Sequence, residues 1–497
     1  MNRTETLSTI RERTSPWDVV IVGGGATGVG CALDAASRGY EVLLLEQHDF
    51  GKGTSSRSTK LIHGGVRYLR QGDFSLVREA LHERAILLRN APHTVKIQSF
   101  IVPSYGRLQQ IYYGLGLKAY DMLSKGEGVG NSRLLTKHET MQELPTLISA
   151  GLSGSVKYCD GRFDDTRLLI GLVATAQANG AVTSNYSRVR SLTKNSEGKI
   201  AGLTFLDVET DELFDVKAQV VINAAGVFCD PIRKMSDEGA GAVITYAQGI
   251  HLVLDRRFLP SETALMIPKT SDGRVLFCIP WHGHTLIGTT DTPVSGTDLE
   301  PTAHEEEIDF VLNTAAQYLS ERPTRDDILS VFAGIRPLVH RGTNAKTSKL
   351  SRSHDLFVDK AGLVTITGGK WTTYRRMAED AVDRAVYVGG LEFSPCVTSD
   401  LAIHDTSRHV ADGSDALVEG SPYTANDIVH AVQHQMARTV EDVLARRTRL
   451  LFLNAKAAID AAPLAARIIA EELGKNEDWM TSQVEEFTEL AQNYLSR

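Results

Sequence analysis

The chain reads as an α/β protein. It combines a Rossmann-like dinucleotide-binding domain, interleaved with an antiparallel-sheet substrate domain, and a C-terminal all-α domain. Three observations predict this. A glycine fingerprint stands between two apolar strands near the start; strand-like pieces separated by Gly, Pro and Asp turns fill residues 250–363; amphipathic helical patterns take over after about Pro395.

The fingerprint comes first because its context is complete. Residues 18–46 read DVVIVGGGATGVGCALDAASRGYEVLLLE. Residues 19–22 are a short β-branched run, as in a buried parallel strand. Gly23, Gly25 and Gly28 then fall in G-x-G-x-x-G order, where the backbone must turn tightly and approach a pyrophosphate. Gly24, Ala26 and Thr27 complete that loop as further cofactor contacts. Ala26–Ser37 is predicted as a helix with its free N–H groups toward the phosphate, Gly39 stops it, and 41–45 is a second strand. Glu46 follows at the roughly 20-residue spacing from which a carboxylate meets ribose hydroxyls. The segment predicts an adenine dinucleotide.

Composition sets the frame. With 497 residues, 42% hydrophobic and 23% charged, the chain is ordinary globular material for two or three domains. A net charge of −8 speaks against a nucleic-acid partner. Five scattered cysteines without C-x-x-C spacing argue for a reducing compartment and against a disulfide framework or zinc site. There is no run of 18 apolar residues, so no membrane span is expected. Residues 1–17 are polar and of mixed charge and read as a disordered lead-in, followed by interleaved domains over 18–395 and a helical domain over 396–497.

Further along, Phe74–Asn90 and 163–180 are predicted helices, the second started by Asp164 and Asp165 and stopped by Gly180. The strand 218–222 runs into Asn223-Ala224-Ala225-Gly226; the small Ala225 and Gly226 allow a second close approach to the cofactor, with Val189 counted beside them. Residues 251–254 and 275–279 are strands of the antiparallel sheet. In the last domain, helices are expected at 426–436, 440–452, Ala455–Leu473 and 477–495; Thr439 and Asp442 form a capping box, and Gly474 is a stop. The loop 53–69, GTSSRSTKLIHGGVRYL, offers hydroxyls and N–H groups to a pyrophosphate and flavin cleft, although composition alone leaves a plain solvated loop open.

At this loop the sequence resembles a known family. SSRSTKLIHGGVRYL at 55–69, IPWHGHTLIGTTD at 279–291, GIRPL at 334–338 and GGKWTTYR at 368–375 resemble the flavin-dependent glycerol-3-phosphate dehydrogenases of the D-amino-acid-oxidase-like group. TVEDVLARRTRLLFL at 439–453 resembles that family's extra helical domain, so the likeness covers nearly all of the chain after Trp17. It implies FAD as cofactor and oxidation of sn-glycerol 3-phosphate to dihydroxyacetone phosphate. Electrons would pass to a quinone at the membrane surface, from a peripheral protein on the cytoplasmic, inner face of the cell membrane, with room for a homodimer. The alternative is an oxidase that uses oxygen and releases hydrogen peroxide. The absence of that group's long insertion favours the dehydrogenase.

The same resemblance assigns site residues. Arg67 and Arg336 are the candidate phosphate clamp, since a guanidinium fork suits phosphate oxygens; Tyr68 stands beside them as a substrate contact. Lys370 would stabilise reduced flavin or hold substrate, and His251 is the candidate general base. Thr54, Ser55, Ser58, Lys60, Leu61, His63, Gly64 and Gly65, with Gly369, Thr372 and Thr373, are the remaining cofactor candidates. Each has a blander reading: either arginine as an ion-pair residue, His251 as a core histidine, Lys370 as a helix start. Arg57 departs from the family, which commonly has a small residue there; it either points outward or adds charge near the cofactor. His282 and His284, near Cys278, complete no zinc spacing, and no metal is expected. The segment 107–125 sets apolar residues among basic ones, fit for a headgroup layer or for a core or dimer helix; Gly114 and Gly116 weaken the helix reading.

Overall fold

The computed structural model describes residues 2–66, 72–124, 126–339, 354–407, 416–419 and 421–496. Two sheets organise the first four hundred of them. In the first, the parallel centre is Leu213–Asn223, Trp17–Val22, Val42–Leu45 and Val182–Ser184, with Val364–Gly368 and His354–Val358 extending the other side. Val19, Val20, Ile21 and the strand Val42–Leu45 are fully buried, as strands covered on both faces must be. Helices Ala26–Ser37, Asp165–Ala178 and Tyr374–Gly389 pack on one face in a common core with them.

The second sheet is antiparallel around Ile244–Asp255, which pairs with Ile328–Val339 and with His284–Gly288. Its register sets Ala247 opposite Arg336, Gly249 opposite Gly334, and His251 opposite both Phe332 and Gly288. Alternation along a strand then places Arg336, Gly249, Gly334, His251 and Phe332 on one sheet face. The opposite face, with Ile250, Leu252 and Leu254, is closed by helix Glu305–Ala315.

Helices Ala425–His434, Ala455–Leu473 and Glu477–Gln492 form the C-terminal bundle, packed through Ala458, Ala462 and Ala465 against Ile428 and Phe487. The same core takes in Val253, Trp281 and Phe332, so the bundle covers one end of the His251 face.

Two expectations are corrected. The expected disordered lead-in 1–17 is structured over its described residues: Arg3–Glu12 is a helix capped by Asn2. Leu7 and Ile10 enter the core, and Arg3 pairs with buried Asp207. The predicted helix 440–452 is also interrupted. Its reciprocal Thr439–Asp442 cap is present, but 442–447 winds as a π-turn and Arg449 adopts φ 62° before a short helix Leu450–Leu453. Tertiary bonds from the arginines, described below, hold that break against local helix propensity.

Candidate active site

The glycine turn shows why it must be glycine. Gly23 has φ 113°, and a Cβ on it would lie 2.7 Å from the Ala224 carbonyl oxygen. A Cβ on Gly28 would lie 1.9 Å from the Gly23 oxygen, so the first helical turn closes on the strand end only without one. The Glu46 carboxylate accepts from the Gly24 and His48 N–H groups at 2.6 and 2.8 Å; burial raises its pKa. Ser55 Oγ accepts from the N–H of Ala26 at the helix N-terminus, at 2.9 Å.

From this turn a cavity of about 830 Å³ runs to the face of the second sheet. That is toward the upper end of ligand pockets and long enough in its lining to join both domains. At the dinucleotide end its wall includes Gly23, Gly25, Ala26, Thr27, Glu46 and Val189, with Ala225 and Gly226 from the second small-residue turn. Thr54, Ser55, Ser58, Leu61, His63 and Gly65 form its middle, joined by Gly369, Lys370 and Thr372. The two loops are tied together: the Trp371 indole N–H donates to the Ser55 carbonyl at 2.8 Å, and Thr372 Oγ1 accepts from the His63 N–H at 3.2 Å. Donors, small residues and a buried carboxylate at this spacing fit an adenine dinucleotide.

The far end carries chemistry. Arg336 lines the cavity, donating from Nη2 to Thr289 Oγ1 at 3.0 Å and from Nη1 to the Thr290 carbonyl at 3.2 Å, with Asp291 at 3.4 Å. Gly249 makes room for that fork, since a Cβ there would lie 2.2 Å from Nη2. His251 lines the same end, stacked on Phe332 with ring centroids 4.9 Å apart. Burial, then the nearby cations Lys60 and Arg336, hold its pKa well below the usual imidazole value, so the ring is neutral. Lys370 lies on the wall at the start of the turn Trp371–Thr373, after Gly368 and Gly369 at φ 81° and 72°.

Five candidates fall away from the cavity wall, Gly28 among them because it closes on the Gly23 carbonyl instead. Lys60 is corrected from a cofactor contact to a structural ion pair. It is fully buried, and its Nζ donates to Asp165 at 2.6 Å and to the Ser56 carbonyl at 2.7 Å; burial lowers the ammonium to about 7. Gly64 turns toward two helices instead: its N–H donates to Tyr120 Oη at 2.8 Å, and a Cβ would meet Leu81 at 2.7 Å. Gly24 supports Glu46, and buried Thr373 turns its hydroxyl to the Lys370 carbonyl. Arg67 and Tyr68 lie outside the described residues.

Sequence reasoning missed several groups. Thr59 hydrogen-bonds His251 Nε2 at 2.9 Å, and Arg188 and Arg190 line the cavity on either side of Val189. The alternating SRVRS pattern was the available signal for the latter. Arg57 points inward, to Glu300 at 2.6 Å, which Tyr494, just past the last helix, also reaches at 3.1 Å. The largest omission is a buried charge network. Asp49 pairs with Arg446 and, at 2.7 Å, with Arg447; Lys52 pairs with Glu441; Arg449 donates to Asp165 at 3.1 Å and to the Ser56 carbonyl at 3.0 Å. The C-terminal domain thus grips both ends of the loop 49–60. His282 bonds Asp164 at 2.9 Å and His284 bonds the His282 carbonyl.

A two-domain architecture in which a strand–glycine–helix turn feeds a cavity ending on an antiparallel sheet defines a flavin-dinucleotide oxidoreductase. A model of the FAD dependent oxidoreductase family matches residues 18–375, and one of the C-terminal domain of alpha-glycerophosphate oxidase matches 399–479. The mitochondrial glycerol-3-phosphate dehydrogenase of Bos taurus is 39% identical over 97% of this chain and 74% of its own length; that of Arabidopsis thaliana is 39% identical over 97% and 86%. The structure of glycerol-3-phosphate dehydrogenase from Bacillus halodurans complexed with FAD superposes with TM-score 0.78 at 29% identity, covering 99% of this chain and 97% of that one. L-alpha-glycerophosphate oxidase from Mycoplasma pneumoniae shares the fold at TM-score 0.57 and 17% identity, over 77% and 97%. The chain belongs to the family of FAD-dependent glycerol-3-phosphate dehydrogenases, and its cofactor is FAD.

Proposed function

We propose that the protein oxidises sn-glycerol 3-phosphate to dihydroxyacetone phosphate and delivers the electrons to a quinone at the membrane surface. The observation that carries the reading is the juxtaposition of Arg336 and a neutral His251 on one sheet face at the end of the cofactor cavity. Arg336, fixed by Thr289 and Thr290, presents a planar donor edge to the phosphate; the sequence motif GGVRYL offers Arg67 and Tyr68 for the same substrate. His251 takes the proton of the substrate's middle hydroxyl. Lys370 holds positive charge at the reacting end. Bound FAD supplies the hydride acceptor.

For the acceptor side, the support is an apolar stretch of the cavity wall at Phe100, Tyr158, Met266 and Phe277. These residues pack in one core with Leu117 of helix Arg107–Leu123. The outer face of that helix leaves Leu108 and Leu115 exposed, at 84% and 66%, together with Ile111, Tyr112 and Met122. Arg107 and Lys118 lie on the same helix, the pattern of a segment resting in an anionic headgroup layer. Among the described residues no helix is long and apolar enough to cross a membrane; the reading seats the protein on the inner face of the membrane through this exposed helix face.

The test is anaerobic absorption of the flavin during addition of sn-glycerol 3-phosphate. Bleaching of the flavin band is expected; a bound flavin that stays oxidised overturns the substrate assignment. Flotation with anionic vesicles, lost in a Leu108→Asp/Leu115→Asp variant, tests the membrane reading. Hydrogen peroxide released in air at the rate of substrate consumption overturns the quinone in favour of oxygen.

A further inference from the structure

We propose that Thr59 sets the tautomer of His251: its hydroxyl oxygen accepts the Nε2–H, leaving the lone pair on Nδ1 as the proton acceptor. The inference rests on reading His251 as the base.

Three observations carry it. Thr59 Oγ1 and His251 Nε2 are 2.9 Å apart, and both residues line the cavity. His251 Nδ1 is buried and has no hydrogen-bond partner among the described residues. A neutral imidazole with one partnered nitrogen must leave either a bare N–H or a bare lone pair on the other. Orphaned buried donors are the rarer defect, so the proton belongs on Nε2, facing Thr59. The open lone pair of Nδ1 is then what a substrate hydroxyl would satisfy.

The surroundings leave the ring little freedom to choose otherwise. Phe332 stacks on it with planes 18° apart, and a Cβ on Gly288 would stand 2.2 Å from Cδ2. Phe332 is itself braced edge-on by Phe452 of the C-terminal domain, with centroids 4.8 Å apart. Thr59 is pinned from both neighbours. Ser58 Oγ donates to Asp165 at 2.7 Å, and Lys60 donates to the same carboxylate, which Arg449 holds from the other side. The charge state agrees, since burial and two nearby cations keep the ring neutral. In the step itself the substrate O–H bond breaks and an Nδ1–H bond forms. Bound FAD would supply the acceptor for the hydride on the same carbon, so that the carbonyl forms. Holding the correct nitrogen free is the positioning role that a hydrogen-bonded partner plays for a catalytic imidazole.

The experiment compares Thr59→Val, Thr59→Ser, His251→Asn and the Thr59→Val/His251→Asn double variant. The readouts are flavin content and anaerobic flavin reduction as a function of sn-glycerol 3-phosphate. Thr59→Val should slow the limiting rate roughly tenfold or more while leaving half-saturation nearly unchanged. Thr59→Ser should restore most of it, and Thr59→Val should add nothing once His251 is Asn. If His251→Asn is slow but Thr59→Val matches the wild type, or the two losses multiply, the tautomer role is overturned and the base stands. If His251→Asn reduces as fast as wild type, the base reading falls and this one with it. A measurement independent of any variant's cofactor retention is the ¹⁵N-histidine spectrum of the wild-type holoenzyme, with His251 assigned by its loss in His251→Asn. A protonated Nε2 is expected; a protonated Nδ1 overturns the proposal.

Discussion

The two ends of the cavity are built on different principles. At the dinucleotide end, one contiguous stretch does most of the work, and it does so with backbone: Gly23 and Gly28 close a turn that no side chain would permit. At the reacting end, Thr59, His251, Thr289, Arg336 and Lys370 come from widely separated segments and meet only in the finished fold. The loop that carries Thr59 is held by a buried charge network reaching into the C-terminal domain. The first end should therefore fail by steric collision, and the second by uncompensated charge or lost orientation.

The sharpest way to break the contrast is Gly28→Ala. Its methyl carbon would sit 1.9 Å from a backbone oxygen that cannot move away, so FAD binding should be abolished; a yellow, active Gly28→Ala protein would contradict the backbone account. Next is Arg449→Met, which removes one cation from buried Asp165. Breaking a buried pair is worth about 3–5 kcal/mol, read as a lower urea midpoint, with activity lost alongside it. Arg336→Ala should be smaller, about 2–3 kcal/mol, since it deletes charge-assisted bonds to a phosphate. That appears as a KM increase of roughly 30- to 150-fold with flavin still bound; unchanged kinetics would remove Arg336 from the clamp.

The smallest effect is an absence. Burial and neighbouring cations hold the His251 pKa well below the usual imidazole range, so the base is neutral without losing a proton in that range. Flavin reduction should lack a rising limb near pH 6.5, and such a limb, lost in His251→Asn, would contradict the neutral ring. The sign for stability is parallel at His48, lowered to about 4 by burial and Lys52. The unfolded chain binds the extra proton between pH 6.5 and 4, so unfolding free energy should fall as pH drops through that window. His48→Gln should flatten that slope.

How much of this was legible follows the same division. The helices Ala26–Ser37, Phe74–Asn90 and Ala455–Leu473 stand where period and caps placed them, because local pattern and tertiary burial agree there. Helix Arg107–Leu123 forms despite two glycines, since Gly114 seats Leu134, whose Cδ2 would lie 2.8 Å from an added Cβ. Arg446, Arg447 and Arg449 looked like the polar positions of a helix; their partners Asp49 and Asp165 are nearly 400 and 300 residues away, beyond any periodicity. Lys60 was misread for the same reason. A lysine in a polar loop looks like a cofactor donor until its carboxylate arrives from another element.

That separation bears on how the protein is made. Synthesis delivers the glycine turn and the loop 49–60 nearly four hundred residues before Glu441 through Arg449. A nascent chain therefore carries a finished nucleotide motif whose neighbouring carboxylates and lysines still lack their counter-ions. A message cut short before Glu441 would yield a polypeptide that announces a flavoprotein in its first fifty residues and lacks the groups that hold the flavin loop. Cofactor loading in this design waits on a segment nearly four hundred residues downstream, which brings the counter-ions of the flavin loop.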